Sequence, residues 1–265
     1  MVNHGWIRSG LGLGVWLVAA GAVAQVPPPY GDTAGTVFDI LRRDDPSALQ
    51  CLDPIGQDAR QIWDKRVDGE PVVEAFLFMA RYADGTNIEI AVNPEYQTPD
   101  AALTEARRFA FSLGQWPTAL RVGIGRFSIH RGDEGFHAGT GQIVVYADRA
   151  DQRDSYDHLE ESLFHEAVHA TWDEAHRLSE GWQAAQQADG RFLTGYGARH
   201  PDREDLAETA LFAFAILHHP ERFPPVDTAD TVAAVPNRIA SIRTLLPPGQ
   251  PLQVQVAEAM GCLSG

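Results

Sequence analysis

The sequence predicts an α+β fold, and three observations carry that expectation. Two strand-like runs, Val72 to Tyr82 and Asn87 to Val92, flank Ala83-Asp84-Gly85-Thr86, where the Asp-Gly pair and the alternation of Ile88, Ile90 and Val92 describe a β-hairpin. Two further runs, Leu120 to His130 and Gln142 to Tyr146, come after a helical stretch instead of alternating with helices one by one. Beyond Tyr146 the chain reads almost wholly as helices. One small twisted mixed sheet should therefore pack on a central helix, with a mostly helical C-terminal half.

Taken in order, residues 1–24 carry a single basic residue, Arg8, then an apolar run from Leu11, and end on Ala22-Val23-Ala24. A basic start, a short apolar core and a small-x-small end describe a cleaved secretory signal. The run is too short for a comfortable membrane span, and no later stretch approaches that length. Residues 25–265 then form one domain of ordinary size, exported to the periplasm or the medium, with no membrane contact in the mature form. The net charge of −15 offers nothing to a nucleic acid. No pattern in the chain speaks to its oligomeric state.

Val26-Pro27-Pro28-Pro29 is an extended leader, and Ala34 to Arg43 reads as a short helix with Val37, Ile40 and Leu41 on one side. The two cysteines, Cys51 and Cys262, stand near opposite ends of the mature chain. In an exported protein they suggest one disulfide, worth about 5 kcal/mol by loop-closure entropy at its upper limit. Ala101 to Leu113 is an amphipathic helix that should stop at Gly114. Between the last two strands lies Gly135-Phe136-His137-Ala138-Gly139-Thr140-Gly141, a loop whose sheet edge could take an extended peptide as an added strand, with His130 and His137 as groove residues.

The chemistry concentrates in Asp157 to Trp172. Leu159, Leu163, Phe164, Ala167, Val168 and Trp172 recur at helical spacing without Gly or Pro. On that helix His165 and His169 lie one turn apart on one face and can bind a common ion. Glu166, turned aside, can reach a water held there. Asp173, Glu174 and His176 follow as surface or outer-shell residues. Gly181 to Ala188 is a short helix ending at Gly190. A last buried helix begins near Asp202, a good N-cap, and beyond Glu208 is apolar to Leu217 except at Thr209.

Glu204 and Glu208 lie one turn apart at the start of that helix. Buried carboxylates are costly unless paired or bound to a metal. Two histidines, one carboxylate and an open position make a catalytic zinc set, one Zn2+ per chain. Glu204 is taken as the third ligand and Glu208 as the group that accepts a ring N–H from a ligand histidine. Spacing alone leaves the opposite assignment open.

With the HEAVH run followed some thirty-five residues later by E-x-x-x-E, the segment resembles the gluzincin metallopeptidases. Leu193-Thr194-Gly195-Tyr196-Gly197 followed by Glu204-Asp205-Leu206-Ala207-Glu208 is similar, more narrowly, to the protease domain of anthrax lethal factor, with one residue more between the tyrosine and the acids. It also resembles uncharacterised secreted bacterial zincin-like proteins. The resemblance, which covers Leu159 to Leu217, implies a zincin-like fold and zinc held by His165, His169 and Glu204. It implies too that Glu208 lies in the outer shell and that the Tyr196 hydroxyl faces the developing oxyanion. The expected function is a secreted zinc-dependent metallopeptidase acting on a peptide or protein, with Glu166 as general base. The alternatives are a zincin-fold peptide-binding protein without turnover and a zinc hydrolase of a non-peptide amide or ester.

Overall fold

In a computed structural model of the chain, Met1, residues 26–36 and residues 38–256 are described. The expected leader before Gln25, Val37 of the expected first helix, and Cys262 lie outside the described residues. Six strands form one mixed sheet: β1 (Leu49–Gln61), β2 (Val72–Tyr82), β3 (Asn87–Val92), β4 (Arg126–His130), β5 (His137–Gly139) and β6 (Gln142–Tyr146). Their spatial order is β1-β2-β3-β4-β6-β5. The hairpin pairs and the β6–β5 pair are antiparallel, while β3–β4 and β4–β6 are parallel. β5 is thus a three-residue edge strand with one side unpaired.

The helices are α1 (Pro99–Gln115), α2 (Thr118–Arg121), α3 (Ala147–Asp154), α4 (Leu159–Trp172), α5 (Glu180–Asp189), α6 (Gly195–Arg199), α7 (Asp205–His218), α8 (Pro225–Ala234) and α9 (Pro236–Leu245). None of the described helices is long and apolar enough to cross a membrane. The main core lies between one sheet face and α1, α4 and α7, with Phe109 and Phe127 in ring contact at 5.3 Å and Phe164 and Phe214 at 4.9 Å. The opposite face carries a smaller apolar cluster of Ile62, Ala75, Leu77, Ala91, Val144 and Tyr146.

Several boundaries differ from the sequence expectation for identifiable reasons. Residues 34–36 and 38–43 are not helical. The amides of Ile40 and Leu41 donate to the buried Glu161 Oε1 at 2.6 and 2.9 Å, so a side chain of α4 replaces the carbonyls a helix would have used. α1 continues through Gly114 to Gln115. The glycine there marks a crossing: Ala48 N donates to Gly114 O at 2.9 Å, and a Cβ would come within 2.9 Å of Leu49 N. The run from Leu120 splits into α2 and β4, because the buried Arg121 turns inward to Asp84 and to the carbonyls of Leu113, Gly114 and Trp116. Asp202 is exposed and does not cap α7, whose cap position is Glu204. His130 is not a groove residue: it is fully buried, with Nδ1 2.9 Å from Asn93 Nδ2 and Nε2 3.0 Å from Trp63 O. Other elements were not expected individually, among them β1, α3, β5, α6, α8 and α9. β1 is a largely exposed edge strand bulged at Pro54–Gly56, and α3 is polar with only Ala147 and Ala150 buried, so neither shows a hydrophobic period.

Candidate metal centre

α4 buries Leu163, Phe164, Ala167, Val168 and Trp172, which leaves His165, Glu166 and His169 along the flank that faces a cavity of about 870 Å³. The acid comes from a second, distant anchor. Asp205, the first residue of α7, is buried and held by the fully buried Arg238 of α9 and by Gln186 Nε2 of α5 at 2.8 Å. Arg238 is in turn gripped by Asp189 at 2.9 Å. Pinning Asp205 fixes the residue before it, so Glu204 reaches back towards α4.

Three acceptor atoms converge there. His165 Nε2 and His169 Nε2 are 3.1 Å apart, and Glu204 Oε2 lies 3.2 Å from His169 Nε2 and 3.5 Å from His165 Nε2. A tetrahedral ion with bonds of about 2.0–2.1 Å needs ligand–ligand edges of about 3.3–3.4 Å, the bond length multiplied by about 1.63. The triangle fits. Among the described residues these three form the group of metal-ligating side chains whose ligand atoms all come together within 4.8 Å.

The outer contacts decide which ring nitrogens carry protons. His169 Nδ1 faces the Asp173 carboxylate at 2.9 Å, one turn on, and so donates to it. For His165 the partner is Thr33. The Thr33 hydroxyl donates to Glu208 Oε1 at 2.7 Å, so its oxygen accepts from His165 Nδ1 at 3.3 Å. Thr33 N also donates to Glu208 Oε2 at 3.0 Å, and Thr33 O lies 2.8 Å from His158 Nε2. With Nδ1 so engaged, both imidazoles turn Nε2 to the same point as the Glu204 carboxylate. Three ligand atoms this close together could hold a metal ion.

The electrostatics follow this arrangement. Burial opposes charge on His169, but Asp173 and Glu204 outweigh it and push the imidazole up to about 10. Burial would raise Glu204, yet His165 and His169 hold its carboxyl far below the usual range. Burial raises Glu208, with His165 and the Thr33 hydrogen bond pulling against it. Burial also raises Glu166, opposed by His165 and His169.

Among the described residues no hydrogen bond engages the Glu166 carboxylate, which faces the cavity. Tyr196 lines the same cavity from α6, its backbone N donating to Gly31 O at 2.8 Å. Its hydroxyl is raised by burial and by the adjacent Glu204. Glu208 stands on the far side of His165, with Oε1 3.6 Å from Nδ1, whereas Glu204 meets the two Nε2 atoms. His137 of β5 lines the cavity as well.

Sequence reasoning missed Thr33, Lys65 and Arg203, whose Nη2 lies 3.1 Å from Glu204 Oε1. Asp173, four residues after His169, carried a usable helical signal. Thr33 carried none, because its partners are far away in the chain. No family model, curated protein or solved structure matches this chain.

Proposed function

We propose that the protein is an exported zinc-dependent peptidase with a zincin-like fold. The observation that carries this reading is the triangle of His165, His169 and Glu204, whose edges suit a tetrahedral ion and whose outer hydrogen bonds turn both Nε2 lone pairs inward. With three protein ligands and an open cavity side, the set has the form of a catalytic rather than a closed structural site.

A zinc ion held there would supply Lewis-acid polarisation of a scissile carbonyl and an acidified water. Glu166, unclaimed by other side chains, takes the proton and later returns it to the leaving amine. Its raised affinity for protons suits that double duty. Tyr196 donates a hydrogen bond to the oxygen that gains charge, a contribution of up to a few kcal/mol in the transition state. The free side of β5 supports an extended substrate by main-chain pairing along the cavity.

The test is zinc stoichiometry together with cleavage of a mixed peptide library, for the parent chain and for Glu166→Ala. One zinc per chain in both, with cleavage only in the parent, is the expected outcome. A Glu166→Ala variant that cleaves at the parent rate refutes the mechanism. Saturable peptide binding without product would indicate a binding protein instead, and turnover confined to esters or non-peptide amides would move the substrate class.

A further inference from the structure

The cavity holds a charge that the zinc reading does not use. The chain is strongly acidic and contains a single lysine, Lys65, which lines this cavity. Lys65 sits in a tight turn closed by the Asp64–Gly69 bridge. Its backbone N accepts no freedom, because it donates to Tyr146 Oη at 2.7 Å. The buried Asp64 beside it is clamped by Arg66 at 2.7 Å, and Trp63 packs its ring on His137 at 5.4 Å. A fixed turn therefore presents the ammonium to the loop that leads into β5, where a Cβ placed on Gly135 would lie 3.2 Å from Lys65 Nζ.

Two arginines of α3 line the same cavity, Arg149 and Arg153, one turn apart. Arg149 is paired with Asp133 at 3.1 Å. Arg153 donates to Ala34 O at 3.1 Å and to Tyr156 Oη at 2.8 Å. Among the described residues neither Lys65 nor Arg153 has a carboxylate within ion-pair distance. Of the acids lining the cavity, Glu204, Glu208 and Asp173 contact the two histidines, Glu166 faces the cavity beside them, and Asp32 and Glu134 stand in the wall without an ion pair to Lys65 or Arg153 among the described residues. The Lys65 ammonium is felt locally, since it adds to the effect of burial in lowering the His137 imidazole.

Direction along β5 gives these cations a place on the substrate. β5 runs from His137 to Gly139, so a peptide added antiparallel to its free edge carries its C-terminal portion towards Gly135 and Lys65. We propose that Lys65, with Arg153 on the Ala34 side of the cavity, receives a carboxylate of the substrate on the C-terminal side of the cleaved bond. The proposal rests on the peptidase reading above and narrows its substrate class to peptides bearing an acidic group there, either a Glu or Asp side chain or the free α-carboxylate.

The experiment compares paired hexapeptides that carry Glu or Gln at each position in turn, each with a free or amidated C-terminus. They are tested against the zinc-loaded parent, Lys65→Met, Lys65→Arg and Lys65→Glu. In the parent, kcat/KM for one acidic member should exceed that of its neutral pair by about tenfold or more. That ratio should fall to near one in Lys65→Met, survive in Lys65→Arg, and drop below one in Lys65→Glu. The free and amidated arms tell a side chain from the terminus. An unchanged ratio in Lys65→Met overturns the proposal.

A second readout does not need turnover. Reductive methylation with 13C labels the one lysine, separately from the N-terminal amine, in the zinc-loaded Glu166→Gln protein. Its resonance should move on titration with the acidic peptide and stay fixed with the neutral pair; immobility with both overturns the carboxylate site. Failure of every peptide to be cleaved would count against the peptidase reading alone.

Discussion

Replacing Thr33 by valine should weaken zinc binding without unfolding the chain. The substitution keeps shape and retains two backbone contacts, Thr33 N to Glu208 Oε2 at 3.0 Å and Thr33 O to His158 at 2.8 Å. It deletes the hydroxyl that donates to Glu208 Oε1 at 2.7 Å and accepts from His165 Nδ1 at 3.3 Å. The nearest remaining acceptor for that ring N–H is Glu208 Oε1 at 3.6 Å, too far for a good hydrogen bond. His165 then loses the partner that fixes its tautomer and ring angle, while a methyl group sits against a buried carboxylate. Loss of such an outer contact costs about 10–100-fold in metal affinity, or about 1.4–2.7 kcal/mol. Competition with a chromogenic zinc chelator reads the affinity, and thermal unfolding checks the fold. Thr33→Ser, which keeps the hydroxyl, should bind nearly as tightly as the parent. Equal affinity in Thr33→Val, or equal weakness in Thr33→Ser, would refute the chain of hydrogen bonds.

Three further outcomes follow from the same contacts. Glu204→Ala should lose zinc more completely than Glu208→Ala, which should fall only about 10–100-fold; the reverse order, read by metal stoichiometry after dialysis, would exchange the two roles. Glu161 is buried, and burial raises its carboxyl from 4.5 to about 8 against the pull of the Leu41 and Ile40 amides. Below pH 4.5 it is neutral in both folded and unfolded chains, and between 4.5 and 8 only the unfolded chain ionises, so its contribution to stability is lost as pH rises through that window. Glu161→Gln removes the slope, and its stability relative to the parent should grow by roughly 3 kcal/mol from pH 5 to pH 8 in denaturant titrations; a constant difference would refute the assignment. Finally, Val256 N donates to Ala83 O at 2.9 Å, and Cys51 pairs in register with Arg81 nearby. The six residues from there to Cys262 can span about 20 Å. A non-reducing peptide map should therefore join Cys51 to Cys262, and its failure to do so would end the disulfide proposal.

Local rules account for the parts of the architecture that were legible. The hairpin of β2 and β3 and strand β6 lie where alternation and the Asp-Gly turn put them, since period and turn chemistry act over a few residues. α5 ends at Gly190 with φ 66°, the left-handed cap its glycine invites. Ala34 to Arg43 had a helical period but took its hydrogen bonds from Glu161, more than a hundred residues on, and no local pattern reports such a partner. β1 and α3 escaped because an exposed edge strand and a polar helix bury too little to leave a period.

What the sequence determined by itself was the pairing of His165 with His169 and the position of Glu166 beside them, because a single helical turn sets those relations. It also marked Glu204 and Glu208 as acids at the head of a buried helix. Only the tertiary structure decided which acid meets the two Nε2 atoms, since that depends on how Arg238 and Gln186 hold the start of α7. It alone brought Thr33 to His165 and Lys65 to the mouth of the cavity. The Thr33 and Lys65 contacts join segments far apart in the chain, and their geometry is set by how the core packs.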